Sequence, residues 1–166
     1  MKYLEVIKKR LEANNVKLTG CTNEQIKEIE NRLTSKLPLC YTEFLEIMGN
    51  YTDLETSLYK TYNYSYVGFG GESVFYDNLI GIKKGFEELL EENGIMESPL
   101  KENDFIFFDH QGYIYAWFNL DEGDNPPVYG YSDGYKGGDF PKLTDSLLEF
   151  YEKYLDANQS PFVALR

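Results

Sequence analysis

The chain has few of the histidine and cysteine residues from which many enzyme and metal sites are built. Its 166 residues include one histidine and two cysteines, and Cys21 and Cys40 are not in a C-x-x-C spacing. A structural zinc site needs four cysteine or histidine ligands, so this composition argues against one. We therefore expect no metal, no cofactor and free thiols, which are typical of a reducing compartment.

Long hydrophobic runs are also missing. No stretch approaches the roughly 18 apolar residues of a membrane-spanning helix. The first residues, Met1 to Leu11, alternate apolar side chains with Lys and Glu, unlike a secretory signal peptide. The sequence therefore predicts a cytoplasmic protein with no membrane association.

Positive charge is scarce after the first two predicted helices. Residues 1–36 contain eight Lys and Arg and five Asp and Glu, which gives a net charge of +3. Because the whole chain has a net charge of −12, residues 37–166 carry −15. An acidic domain repels phosphate backbones, so direct nucleic-acid binding is disfavoured. A basic protein partner is electrostatically favoured instead, although acidic surfaces also serve solubility alone.

The apolar pattern predicts helices first, strands in the middle and a helix last. This order indicates a single α+β domain over residues 1–166 with a mainly antiparallel central sheet. Thr22 and Gln25 have the spacing of a capping box at the start of the second helix. The predicted helices cover about 2–13, from Thr22, from Pro38 to Gly49, 83–93 and 145–156, and the predicted strands 62–69, 73–76, 104–109, 113–120 and 128–131.

Three groups of residues have side chains or spacings that could suggest catalysis. The glycines of residues 68–71 lack the lysine and the following helix of a phosphate-binding loop. Asp109 and His110 could orient a general base, which leaves a small hydrolase as one alternative, but they lie in a predicted hairpin turn. Four glutamates occupy the polar side of the 83–93 helix and are expected to face solvent: Glu87, Glu88, Glu91 and Glu92. We predict no catalytic residue and no enzyme activity.

The stretch from Asn119 to Asp139 combines acidic groups with tyrosines. Carboxylates can steer a basic partner while exposed tyrosines supply the anchors of an interface. The alternative is a polar loop around an edge strand, where acidic residues prevent aggregation. The tyrosine-rich stretch 59–66 is a competing surface. The predicted partner-binding residues are Asp121, Glu122, Asp124, Tyr129, Tyr131, Asp133, Tyr135 and Asp139.

Two blocks of sequence resemble the SUKH superfamily, which includes the domain of the yeast cell-wall assembly regulator and many bacterial immunity proteins. The first is TNEQIKEIENRLTSKLPLCYTEFLEIM, where a capped helix ends in a Leu-Pro step and Tyr41, Phe44 and Leu45 begin the next helix. The second is FIFFDHQGYIYAWFNLDEGDNPPVYGYSDG, similar to the central strands of that superfamily. The resemblance covers about residues 18–156.

The resemblance implies an α+β fold and a protein-binding function. Bacterial members commonly neutralise toxin domains, often nucleases, that neighbouring cells deliver. Nucleases that bind phosphate are basic, so the acidic charge fits such a partner. We therefore expect an immunity protein for a basic toxin domain. The alternative is a regulatory or scaffold domain of the cell-wall assembly regulator type.

Overall fold

The computed structural model describes residues 1–52, 74–135, 140–156 and 159–165. Helices come first, a four-stranded sheet follows and a helix closes the fold, so the predicted α+β class is confirmed. The helices are α1 Glu5–Ala13, α2 Asn23–Leu33, α3 Leu39–Met48, α4 Leu79–Glu92 and α5 Leu147–Tyr154. The strands are β1 Leu18–Thr19, β2 Tyr51–Thr52, β3 Asp104–His110, β4 Ile114–Asn119, β5 Val128–Ser132 and β6 Lys142–Thr144.

Helix α2 begins at the capping box that the sequence predicts. The Thr22 hydroxyl accepts a hydrogen bond from the Gln25 backbone N–H at 3.3 Å, and the side-chain oxygen Oε1 of Gln25 accepts one from the Thr22 N–H at 2.8 Å. Two backbone donors that the helix leaves unpaired are thereby satisfied. Helix α3 begins after Pro38, which fixes the backbone torsion needed at a helix start.

The central sheet has the strand order β3-β4-β5-β6, with all neighbours antiparallel. The predicted hairpin is confirmed: β3 and β4 are joined by a turn at Gln111–Tyr113, in which Gly112 has φ +76°. Such a positive φ favours glycine. Strands β1 and β2 form a separate antiparallel pair, Leu18 with Thr52 and Thr19 with Tyr51.

The predicted strand at 73–76 is wrong over its described part. Tyr76 begins a 3₁₀ turn over Tyr76–Asn78, and the Asn78 N–H donates to the Phe75 carbonyl. Asp77 and Asn78 are residue types that favour turns over strands, which explains the difference. The predicted strand at 62–69, the glycines of 68–71 and the tyrosine-rich stretch 59–66 lie outside the described residues.

Both faces of the sheet are buried, and alternate residues of each strand face opposite layers. Phe118 packs on one face against α3 and α5, in a cluster that includes Tyr41 and Phe150. Trp117 packs on the other face against Phe86 of α4, with ring centroids 5.6 Å apart. The sheet is therefore the middle layer between α3 and α5 on one side and α4 on the other, and much of the aromatic content is core.

A bulge in β3 changes the alternation of the strand. The register shifts between Ile106, opposite Trp117, and Phe108, opposite Ala116. As a result the consecutive rings of Phe107 and Phe108 both join the cluster against α3 and α5. In the described ranges, no helix combines the length and the apolar character needed to cross a membrane.

Candidate functional site

The segment between β4 and β5 places several carboxylates at one end of the sheet. Asn119, only 9% exposed, ends β4 and organises this segment. Its side-chain amide donates to Asp104 Oδ1 at 2.7 Å, and its oxygen accepts from the Asp121 N–H at 2.9 Å. The Asn103 amide donates to Asp121 Oδ2 at 2.7 Å. The two asparagines thereby link the start of β3 to the segment after β4.

We call this surface the acidic edge and define it as Glu102, Asp104, Asp121, Glu122 and Asp124. Asp104 is half-buried and the other four are exposed. The amide donors to Asp104 and Asp121 are neutral, so they orient these carboxylates without cancelling their charge. Asp124 lies 3.8 Å from Lys2 Nζ, but both side chains are 61% exposed, and such exposed pairs contribute little.

Tyr129 is an aromatic residue that contacts one of these carboxylates. Its side chain is half-buried, packs beside the cluster under α4, and its hydroxyl donates to Glu122 Oε1 at 3.2 Å. Burial raises the pKa of Tyr129 above its ordinary value, and the charge of Glu122 adds to this. The phenol therefore stays protonated at neutral pH and remains a hydrogen-bond donor. Tyr129 offers an amphipathic ring at the margin of the acidic edge.

The predicted partner-binding residues do not form one cluster. Asp121, Glu122, Asp124 and Tyr129 lie together at the start of β5. Asp133 and Tyr135 follow the other end of this strand, where the Asp133 N–H donates to the Tyr113 carbonyl at 2.7 Å. Asp139 lies outside the described residues.

Tyr131 does not have the exposure that its predicted role assumes. Its side chain is 3% exposed and its ring lies 6.0 Å from Phe86 and 5.5 Å from Phe140. The physical reason is that α4 covers the face of the sheet toward which Tyr131 points. It is a core residue in this structure and not a surface anchor.

The predicted partner-binding residues do not include Glu102, Asn103, Asp104 or Asn119. A signal was nevertheless present, because the predicted hairpin pairs the start of β3 with the end of β4. The observed register places Asp104 opposite Asn119. Counting outward from the turn at Gly112 places Asn119 opposite Phe105, one residue from Asp104, and the bulge in β3 supplies the remaining shift.

Within the described residues, the other groups with candidate chemistry have structural partners or face solvent. Asp109 Oδ1 accepts the Gly112 N–H at 2.7 Å and so closes the hairpin turn, while His110 is the last residue of β3. Both lie at the end of the hairpin away from the acidic edge. The predicted solvent-facing position is confirmed for the four glutamates of α4: Glu87, Glu88, Glu91 and Glu92.

The two cysteines are free. Burial raises the pKa of the Cys21 thiol to about 11, with a contribution from Asp77, and that of Cys40 to about 12, with a contribution from Glu43. The thiolate is the nucleophilic form of cysteine. Both residues are therefore protonated and weakly reactive at neutral pH.

The model of the SMI1 / KNR4 family (SUKH-1) matches residues 20–153. This range begins just before the capping box of α2, includes the whole acidic edge and ends within α5. Domains of the SUKH superfamily serve as protein-interaction modules. No curated protein matches the chain. The match extends over most of the sequence and includes both blocks that resemble the superfamily, so the chain belongs to the SMI1 / KNR4 family (SUKH-1).

Proposed function

We propose that this chain is an immunity protein that binds and neutralises a cognate toxin, and that the toxin is a basic nuclease domain. The acidic edge is the observation that carries this proposal. It brings five carboxylates from two segments to one end of the sheet, and hydrogen bonds from Asn103 and Asn119 orient two of them. The chain acts by binding, with no catalytic step of its own.

The chemistry of a nuclease explains why such a surface inhibits. A nuclease attracts its substrate with lysine and arginine side chains that contact phosphate groups. Exposed carboxylates compete for these cations, and their field steers the two proteins together. Tyr129 supplies a ring beside Glu122 that a partner can cover.

Co-expression with the toxin encoded next to this chain tests the proposal. Cells that express the toxin together with the wild-type chain should grow, and the two proteins should copurify as a complex. Death of the co-expressing cells together with the absence of a complex would show that this protein has another function.

The surface is tested by charge reversal with a matched control. We expect the double variant Asp121→Lys, Glu122→Lys to slow association with the toxin by about tenfold at low salt and to weaken its salt dependence. The control is Glu91→Lys, Glu92→Lys on the exposed face of α4, which changes the net charge by the same amount. Equal effects of the two variants would mean that total charge matters and not the acidic edge.

The family match also supports a second function, a regulatory or scaffold domain of the SMI1/KNR4 type that binds a cellular protein. The position of the gene separates the two. An immunity gene lies beside a gene for a large secreted toxin, whereas a regulator needs no such neighbour.

A further inference from the structure

A groove of about 260 Å³ lies between α2, α4 and β3. Strand β3 is an end strand in the order of the described four-stranded sheet. Helices α2 and α4 form the two sides of the groove, and β3 forms its floor. The apolar residues that line it are Ile29, Leu33, Leu79, Phe105 and Ile106.

Charged side chains surround this apolar floor. At the α2 side, Glu28 is ion-paired with Arg32 and accepts a hydrogen bond from the Tyr76 hydroxyl, so its charge is largely compensated. Lys83 contributes a positive charge from α4. At the β3 end the groove is lined by two members of the acidic edge, Glu102 and Asp104. The groove and the acidic edge are therefore one continuous surface.

The hydrogen bonds of Asp104 leave its charge available. Its two oxygens accept from the Asn119 amide at 2.7 Å and from the Lys101 backbone N–H at 2.8 Å, both neutral donors. The carboxylate is thus fixed in position at the margin of an apolar groove. A side chain that enters the groove brings its neighbour in sequence close to this negative charge.

We propose that the groove binds an apolar side chain of a protein partner, next to a lysine or arginine that contacts Asp104 and Glu102. This deepens the proposed function, on which it rests for the protein nature of the partner. The volume fits one large side chain and is below the roughly 300–1,000 Å³ of most small-molecule pockets. The two surfaces have different roles in binding. The apolar anchor in the groove slows dissociation, whereas the exposed charges of the acidic edge speed association.

Selection of peptides tests the groove without the toxin. A displayed library of short random peptides is selected on the wild-type chain. Binding is then compared on Leu33→Trp, which fills the groove from its half-buried side, and on Met96→Trp, which adds the same ring at an 89% exposed position. We expect selected peptides to contain an apolar residue next to Lys or Arg, and to lose at least about tenfold in affinity on Leu33→Trp but not on Met96→Trp.

Asp104→Asn is the second variant, because it keeps the size of the side chain and removes its charge. Asp104→Asn should lower the affinity of the same peptides about threefold to tenfold and remove most of the salt dependence of their binding. If Leu33→Trp fails to fold, as judged by its thermal unfolding, Asp104→Asn still decides the matter.

The proposal is overturned if no peptide distinguishes the wild-type chain from both variants. That is also the outcome expected if a small molecule or another segment of this chain occupies the groove.

A failure of the groove proposal can be distinguished from a failure of the immunity function. Toxin binding that depends on Asp121 and Glu122 but is unchanged by Leu33→Trp would retain the function and reject the groove. If peptides bind in a groove-dependent way but the chain does not protect cells from the toxin, the groove proposal stands and the immunity function is rejected.

Discussion

The carboxylate of Glu43 in α3 accepts the backbone N–H of Leu4 at 2.9 Å, 39 positions earlier in the chain. The same carboxylate accepts the N–H groups of Lys2 and Tyr3. Glu43 is 3% exposed, so one buried side chain satisfies three donors that precede α1. Glu43 thereby joins the segment that precedes α1 to α3.

Replacement of Glu43 by Gln should lower the free energy of unfolding by about 2 kcal/mol at pH 7, because hydrogen bonds to a charged acceptor are stronger than those to a neutral one. Burial would raise the pKa of Glu43, but the three N–H donors hold it below the ordinary value of a glutamate. A group with a lowered folded-state pKa stabilises the fold above its unfolded pKa, near 4.5, and this contribution disappears as the pH falls through the folded pKa.

Denaturant titrations of both proteins between pH 3 and pH 7 measure this difference. The stability gap between wild type and Glu43→Gln should close toward acidic pH. Glu46→Gln, on the exposed side of the same helix, should show almost no gap at any pH. A gap of constant size would show that the charge of Glu43 is not what stabilises the start of α1.

Tyr41 is fully buried, and its hydroxyl has no hydrogen-bond partner within the described part of the chain. Its ring packs edge-on against Phe105 at 5.4 Å and lies 5.2 Å from Phe118. Because an unpaired buried hydroxyl costs about 1–3 kcal/mol, Tyr41→Phe should raise the free energy of unfolding by about 1 kcal/mol.

Urea denaturation measures this effect, with Tyr76→Phe as the comparison. The Tyr76 hydroxyl donates to Glu28 at an exposed site, so its removal should leave stability unchanged or slightly lower. Destabilisation by Tyr41→Phe would mean that this hydroxyl is hydrogen-bonded in solution.

Elements with strong local signals could be predicted from the sequence. The capping box of Thr22 and Gln25 and the glycine turn at Gly112 depend on residues close in the chain. Strand β6 has three residues and β1 has two, which is too short for any periodicity. They are strands only because β5 and β2 pair with them, and that pairing is decided by the tertiary fold.

The candidate site could be predicted only in part for a related reason. The charges of Asp121 and Glu122 were evident, but their neighbours across the hairpin, Asp104 and Glu102, follow from the pairing of β3 with β4. The burial of Tyr131 depends on α4 covering the second face of the sheet. The nearly continuous apolar runs of β3 and β4 are typical of strands covered on both faces, but they do not show which element covers each face.

Two glycines should respond to alanine in opposite directions. A Cβ at Gly20 would lie 1.8 Å from the Glu46 carbonyl oxygen, which belongs to the backbone of α3 and cannot move aside. Gly20→Ala should therefore destabilise the fold by more than about 3 kcal/mol. Gly81 lies in α4 with no atom near its added Cβ, so Gly81→Ala should stabilise by about 0.5–1 kcal/mol through helix propensity.

Thermal unfolding of the two variants beside the wild type checks both signs. A small effect of Gly20→Ala would contradict the close approach of residue 20 to α3. Destabilisation by Gly81→Ala would contradict the open surroundings of this helical position.

Asn119→Asp places a second carboxylate against Asp104. The Asn119 amide nitrogen now lies 2.7 Å from Asp104 Oδ1, and a carboxylate oxygen there would repel it. At pH 7 the free energy of unfolding of the variant should be lower by about 2 kcal/mol, since a partly buried hydrogen bond to a charged group is replaced by repulsion. Two such carboxylates raise each other's pKa in the folded state, and a raised folded-state pKa means that stability is lost as the pH rises through it.

The destabilisation by Asn119→Asp should therefore be larger at pH 7 than at pH 4. The direction is the same as for Glu43→Gln, but here the variant loses stability as the pH rises, whereas for Glu43→Gln the wild type loses stability as the pH falls. Denaturant titrations at the two pH values measure it. Asn31→Asp, at an exposed position of α2, is the control and should show a small effect at both. Equal destabilisation at pH 4 and pH 7 would show that the Asn119 amide does not hold Asp104 in place. The acidic edge would then lack the rigid geometry that both proposals assign to it.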